Sequence, residues 1–169
     1  MHYSIQSKLN NQGFLTSKDL NPFIYREILD TINRNNPKVK GLLVDGYPRC
    51  IEQLDSFGTW PFQDTVPLAT GDDGRISLDT KPDLVLSFQI TKGNARARYL
   101  GRARDTNDSA DKFERRFKEY ELETVPVEEE YRKRGILVSI DVNRTKEENI
   151  EALTGSLQQC GIWKKATST

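Results

Sequence analysis

The sequence predicts an α/β protein, a parallel sheet with flanking helices. Two observations carry this expectation. Three runs, at about 41–47, 84–90 and 136–141, are apolar on consecutive positions, as strands covered on both faces of a parallel sheet are. Stretches with helical periodicity separate them, which is the pattern of a doubly wound sheet.

Residues 1–16 are polar and contain Gly13, which suits a short helix and a turn. Asn21-Pro22 reads as an N-cap with proline in the first helical turn, and Leu20, Ile24, Ile28 and Ile32 recur every four positions to about Arg34. Asn35-Asn36-Pro37 stops that helix. The first strand follows at 41–47, then a short helix marked by Ile51, Leu54 and Phe57. Residues 58–81 carry Pro61, Pro67 and the run GDDGR, and read as a surface excursion with room for a small hairpin.

Pro82-Asp83 introduces the second strand, and Thr91 caps a basic helix to about Ala103. A loop, RDTNDSAD, leads to a long amphipathic helix with Phe113, Phe117, Tyr120 and Tyr131 on one stripe and a break or kink at Pro126. Gly135 ends it, and the third strand occupies 136–141. Thr145 and Glu148 have capping-box spacing for a last helix buried through Ile150, Leu153 and Leu157. Residues 160–169 read as a frayed tail, so 1–159 is one domain.

Composition narrows the function classes. With 25 Lys+Arg against 25 Asp+Glu the net charge is zero, so no global field favours nucleic acid or an anionic membrane. The 2 cysteines, Cys50 and Cys160, offer neither a disulfide framework nor metal-ligand spacing and suit a cytoplasmic protein. His2, the single histidine, lies at a terminus, which excludes a histidine-based triad. No run reaches the roughly 18 apolar residues of a membrane span.

Two groups of residues carry chemistry. Asp45, Gly46 and Arg49 lie at the end of the first strand, where open α/β sheets build ligand sites; the arginine fork suits a phosphate, and Asp45 suits the waters of a divalent metal. The second group is the basic stretch 92–104 with Arg98, Arg102 and Arg104, followed by Arg115 and Arg116. Guanidiniums arriving from two helices and the loop between them suit a transferring phosphoryl group. No aromatics interleave with them as single-strand nucleic-acid binding would want, so no nucleic-acid partner is expected.

The stretch Asp45-Gly46-Tyr47-Pro48-Arg49 resembles the DG(F/Y)PR segment of nucleoside monophosphate kinases of the adenylate and UMP-CMP type. Residues 82–153 resemble the C-terminal half of a short-lid member: strand, then arginine helix and short lid together at about 92–112, KRLExY-like helix, and the YRKRGILVSID run. The resemblance spans about Ser7 to Leu157. It implies a P-loop-kinase-like sheet and transfer of a phosphoryl group from Mg²⁺-bound ATP to a nucleoside monophosphate. Arg49 would hold the acceptor phosphate beside Gly46. Gln53 would meet its base, favouring AMP over UMP or CMP. Arg102, Arg104 and Arg116 would surround the transferred group, and Asp45 would organise the metal's water.

Nothing upstream of residue 41 reads G-x-x-x-x-G-K-[ST], the loop that family uses to hold a triphosphate. The expectation is a truncated domain that lacks the family's first two strands and is inactive by itself. The alternative is a non-catalytic pseudo-kinase that binds nucleotide or forms a homodimer through exposed strand edges.

Overall fold

A computed structural model of the protein describes residues 15–33, 41–58, 82–102 and 109–167. Expectations for the first 14 residues, most of the 58–81 excursion and the lid with Arg104 lie outside the described residues. The chain divides into two compact units, Met1–Lys81 and Pro82–Thr169.

In the first unit, helix α1 (Ser17–Asn33) packs on α2 (Ile51–Gly58). Helix α1 starts ahead of the expected Asn21-Pro22 cap, leaving Pro22 inside the helix. The reason is capping from elsewhere: Glu52 accepts from the Ser17 amide at 3.1 Å and from its hydroxyl, and Asp19 accepts from the Thr16 amide at 3.0 Å. Asn21 instead bonds side chains, donating to Ser56 Oγ at 2.7 Å and accepting from Tyr47 Oη at 2.9 Å. Ile28 is buried, with Ile24, Tyr25, Leu29 and Phe57 against it.

The strand expected at 41–47 is not formed. Residues 41–45 make no hydrogen bond among the described residues, and Leu43 is 91% exposed, with Leu42 and Val44 also exposed. Apolar character makes a segment eligible for a buried sheet, but a strand exists only where a neighbour accepts its backbone groups.

The second unit holds the sheet. Strands β1 (Val85–Gln89) and β2 (Leu137–Asp141) pair in parallel, Val85 opposite Leu137 and Gln89 opposite Asp141. Among the described residues the fold is thus mixed α/β with a two-stranded parallel sheet. Between the strands run α3 (Lys92–Gly101), α4 (Ala110–Glu119), a π-helical turn (Tyr120–Thr124) and α5 (Val125–Lys133). Thr91 caps α3 as expected, accepting from the Asn94 amide, and Ser109 caps α4. Gly135, at φ +72°, turns the chain into β2.

The interruption expected at Pro126 takes the form of the π-turn just upstream. Proline offers no N–H to the carbonyl four residues back and crowds it; widening the preceding turn accommodates the ring while the helix continues. Tyr120 Oη donates to Glu128 Oε1 at 2.9 Å across this turn, and Gln89 Nε2 donates to the other carboxylate oxygen at 3.2 Å.

After β2, the Thr145–Glu148 capping box opens α6 (Lys146–Gln159) as its spacing predicts. Glu148's carboxyl is held below its ordinary value by the Thr145 hydroxyl, then by the Thr145 amide. The expected frayed tail is helical instead, as α7 (Gly161–Thr167), joined to α6 through the extended Cys160.

The core of this unit is Tyr99, Phe113, Val127, Tyr131 and Ile140, each worth roughly 1.5–3 kcal/mol of apolar burial. Burial pushes the Tyr131 hydroxyl up to about 12; burial and then the bond to Glu128 push Tyr120 to about 12. Both groups are raised, so the stability they supply is whole below the ordinary value of 10 and is lost as pH climbs from 10 through 12. Absorbance titration of tyrosinate is expected to show two late ionisations, with the unfolding midpoint falling over that interval. Ionisation of every tyrosine near pH 10 would contradict this.

Candidate functional site: two arginine-bearing turns

The first turn lies in the Met1–Lys81 unit. Gly46 adopts φ +70°, a left-handed backbone that glycine takes without steric cost, and the following Tyr47–Pro48 peptide is cis. In this turn Arg49 Nε donates to Gly46 O at 2.7 Å. Arg49 remains exposed, as does Asp45. The structure thus brings Gly46 and Arg49 together, with Asp45 exposed just before the turn.

Gln53 plays a different part from the expected base contact. It is 1% exposed. Its Oε1 accepts from the Arg49 amide at 2.7 Å and its Nε2 donates to Leu15 O at 2.8 Å, so the amide serves backbone. The residue therefore fixes the turn that carries Arg49.

The second site belongs to the Pro82–Thr169 unit, at the C-terminal end of the parallel sheet, where such sheets place ligands. Its basic residues sort into three groups. Lys92 Nζ lies 2.7 Å from Glu114, with Arg96 3.8 Å from the same carboxylate; the Glu114 bond raises the Lys92 ammonium above its ordinary value. Arg98 donates from Nη2 to Val142 O at 2.7 Å and Arg144 O at 2.9 Å, which ties that nitrogen to the loop after β2.

Arg102 and Arg116 form the third group. Arg102, at the end of α3, lies 5.3 Å from the centroid of the Tyr99 ring, and Arg116, on α4, lies 5.8 Å from the same centroid. Among the described residues neither is within ion-pair distance of a carboxylate. Two of the arginines singled out by sequence therefore lie near one ring, exposed and without a carboxylate partner among the described residues. Arg104 lies outside the described residues.

The loop after β2 is fully bonded. Asn149 Nδ2 donates to Val142 O at 3.2 Å and Arg144 O at 3.1 Å, and its Oδ1 accepts from the Arg144 amide. The Val142 amide donates to Gln89 O, the Asn143 amide to Asp141 Oδ1, and Asn94 Nδ2 donates to Asn143 O. Asn143's backbone and side-chain donors hold the Asp141 carboxyl below its ordinary value. Every backbone donor and acceptor of 142–144 is thus satisfied.

This loop walls an open recess of about 660 Å³ with Phe88, Ile150 and Leu153 as apolar lining and Arg98, Arg144 and Lys146 as cations. Sequence reading missed Asn149 and the clamp role of Arg98. The available signal was weak: an asparagine one turn after the capping Thr145, beside the apolar positions of α6.

No protein-family model matches the chain. Curated proteins do. It is 29% identical over 134 residues to the adenylate kinase of Nitratiruptor sp., covering 78% of this chain and 62% of that protein. It is 28% identical over 148 residues to the adenylate kinase of Wolinella succinogenes, covering 87% and 70%. Over 110 residues it is 31% identical to UMP-CMP kinase 2 of Oryza sativa subsp. japonica, covering 64% and 38%.

The chain is a relative of the nucleoside monophosphate kinases. It spans 62% of the length of the Nitratiruptor kinase, and a comparable or smaller share of several others. One unit presents Arg49 on a glycine turn, and the other presents Arg102 and Arg116 on an aromatic ring.

For magnesium, which ATP-dependent kinase chemistry implies, the fit is limited to an outer role. Asp45 is an exposed lone carboxylate, and no group of three or more His, Cys, Asp or Glu gathers among the described residues. A single carboxylate supplies too few oxygen ligands to hold a divalent ion by itself.

Proposed function

We propose that this chain binds nucleotides in the manner of a nucleoside monophosphate kinase, and that by itself it transfers no phosphoryl group. The observation that carries the reading is the Arg102–Arg116 pair, two guanidiniums at one ring with no carboxylate to quench them among the described residues. An anion with several oxygens, a di- or triphosphate, suits such a pair better than a single carboxylate does. Arg104, from the neighbouring loop, would add a third guanidinium.

Arg49 would take the phosphate of the acceptor, a nucleoside monophosphate, with AMP favoured by the resemblance to adenylate kinases. Asp45 would bond waters of the magnesium carried by ATP, whose charge offsets that of the phosphates. The recess beside the β2 loop has the size and the apolar lining to take a nucleobase. The inactivity proposed rests on the sequence having no phosphate-cradling glycine-lysine loop: phosphoryl transfer depends on positioning and charge stabilisation, and that loop supplies much of both.

Calorimetric titration with ATP, AMP, CMP and UMP, beside a coupled assay for ADP formation, tests this. Binding of ATP and of AMP above CMP and UMP is expected, with turnover at background. Arg102→Ala with Arg116→Ala is expected to weaken ATP at least tenfold, and Arg49→Ala to weaken AMP by a similar factor. No nucleotide binding at all would end the reading, and turnover well above background would end the claim of inactivity.

A further inference from the structure

We propose that Tyr99 is a positioning residue whose ring holds Arg102 and Arg116 ready to meet one polyphosphate together. The inference rests on the phosphate reading of those two arginines and adds the element that organises them.

Tyr99 is 7% exposed, and its own position is fixed: it stands in α3 with its ring 5.7 Å from that of Phe113, itself 5% exposed, in α4. A buried ring in a helix moves little. Arg102 comes to it from the end of the same helix and Arg116 from α4, and both guanidiniums lie within the range in which a ring attracts a cation.

The arrangement solves a conflict. Two exposed arginines repel each other and, left alone, sweep many rotamers; ordering them when the anion arrives would weaken binding. A carboxylate between them would order them, but it would also cancel their charge and compete with the ligand, as Glu114 does for Lys92 and Arg96. An aromatic ring attracts a guanidinium through its quadrupole and leaves the full charge of the pair available. Tyr99 can therefore pre-organise the arginines without neutralising them.

Inorganic tripolyphosphate is the probe, titrated by calorimetry into the full chain and its variants. Tyr99→Phe keeps the ring and is expected to bind as the wild type does. Tyr99→Leu removes the ring while filling most of its space, and is expected to bind about five- to tenfold more weakly. Phe113→Leu, which perturbs the same packing but keeps Tyr99, is expected to lose less than twofold.

Proton NMR gives an independent readout. The side-chain methylenes of Arg102 and Arg116 are expected upfield through the ring current in the wild type and in Tyr99→Phe, and at ordinary shifts in Tyr99→Leu. Ordinary shifts in the wild type would overturn the proposal even if the leucine variant fails to fold. Wild-type affinity in Tyr99→Leu, with the Arg102→Ala and Arg116→Ala pair weakened, would overturn it and leave the phosphate reading standing. Undiminished binding in the double arginine variant would instead remove the phosphate reading beneath it.

Discussion

Removing Arg98 and Asn149 together, as alanines, is expected to destabilise the Pro82–Thr169 unit by about 2–3 kcal/mol, against about 0.5–1 kcal/mol for either alone. Both side chains donate to the same two carbonyls, Val142 O and Arg144 O. Losing either leaves each carbonyl with a donor, although Asn149→Ala by itself already unpairs the Arg144 amide; losing both strips the two carbonyls. Denaturant unfolding of the wild type, the singles and the double, read as a double-mutant cycle, measures the coupling. Hydrogen exchange at the amides of 142–144 is expected to accelerate most in the double variant. Strictly additive losses would show that the two clamps act on separate features.

Gly46→Ala is expected to have two separable effects. At φ +70° a side chain costs roughly 1–2 kcal/mol, which lowers stability. The added Cβ would also come 2.8 Å from Arg49 Nη2, so the guanidinium must shift from its place beside Gly46 O. Affinity for a nucleoside monophosphate is expected to drop by about the same tenfold as in Arg49→Ala. Gly46→Asn separates the two, because asparagine tolerates the left-handed region but carries the same Cβ. It is expected to recover most of the stability and little of the binding. Recovery of both would show that backbone strain alone matters there.

The features legible in the sequence are those that a few neighbouring residues decide. The strands at 84–90 and 136–141, the caps at Thr91 and Thr145 and the stop at Gly135 all fall where local spacing puts them. The first-strand expectation at 41–47 failed because apolar residues announce only a wish for cover; the pairing edge is supplied from elsewhere in a chain. Helix α1 began early for a similar reason, since the Glu52 carboxylate that bonds Ser17 is 35 residues away.

The site divides the same way. In the sequence Arg102 and Arg116 read as phosphate-type arginines, and Arg98, one turn before Arg102, has the same appearance. Its assignment to Val142 O, 44 residues later, is long-range information. Gln53 shows the limit most clearly. Its spacing from Arg49 matched a base contact, while its burial and two backbone bonds make it part of the scaffold.

Leu42, Leu43 and Val44 stand uncovered on a stretch of chain whose amides and carbonyls are unclaimed among the described residues. That stretch is expected to limit the concentration the protein tolerates, because uncovered apolar backbone can pair between molecules. A single lysine at Leu43 would act as a gatekeeper against such pairing while leaving the arginine-bearing turn a few residues on untouched.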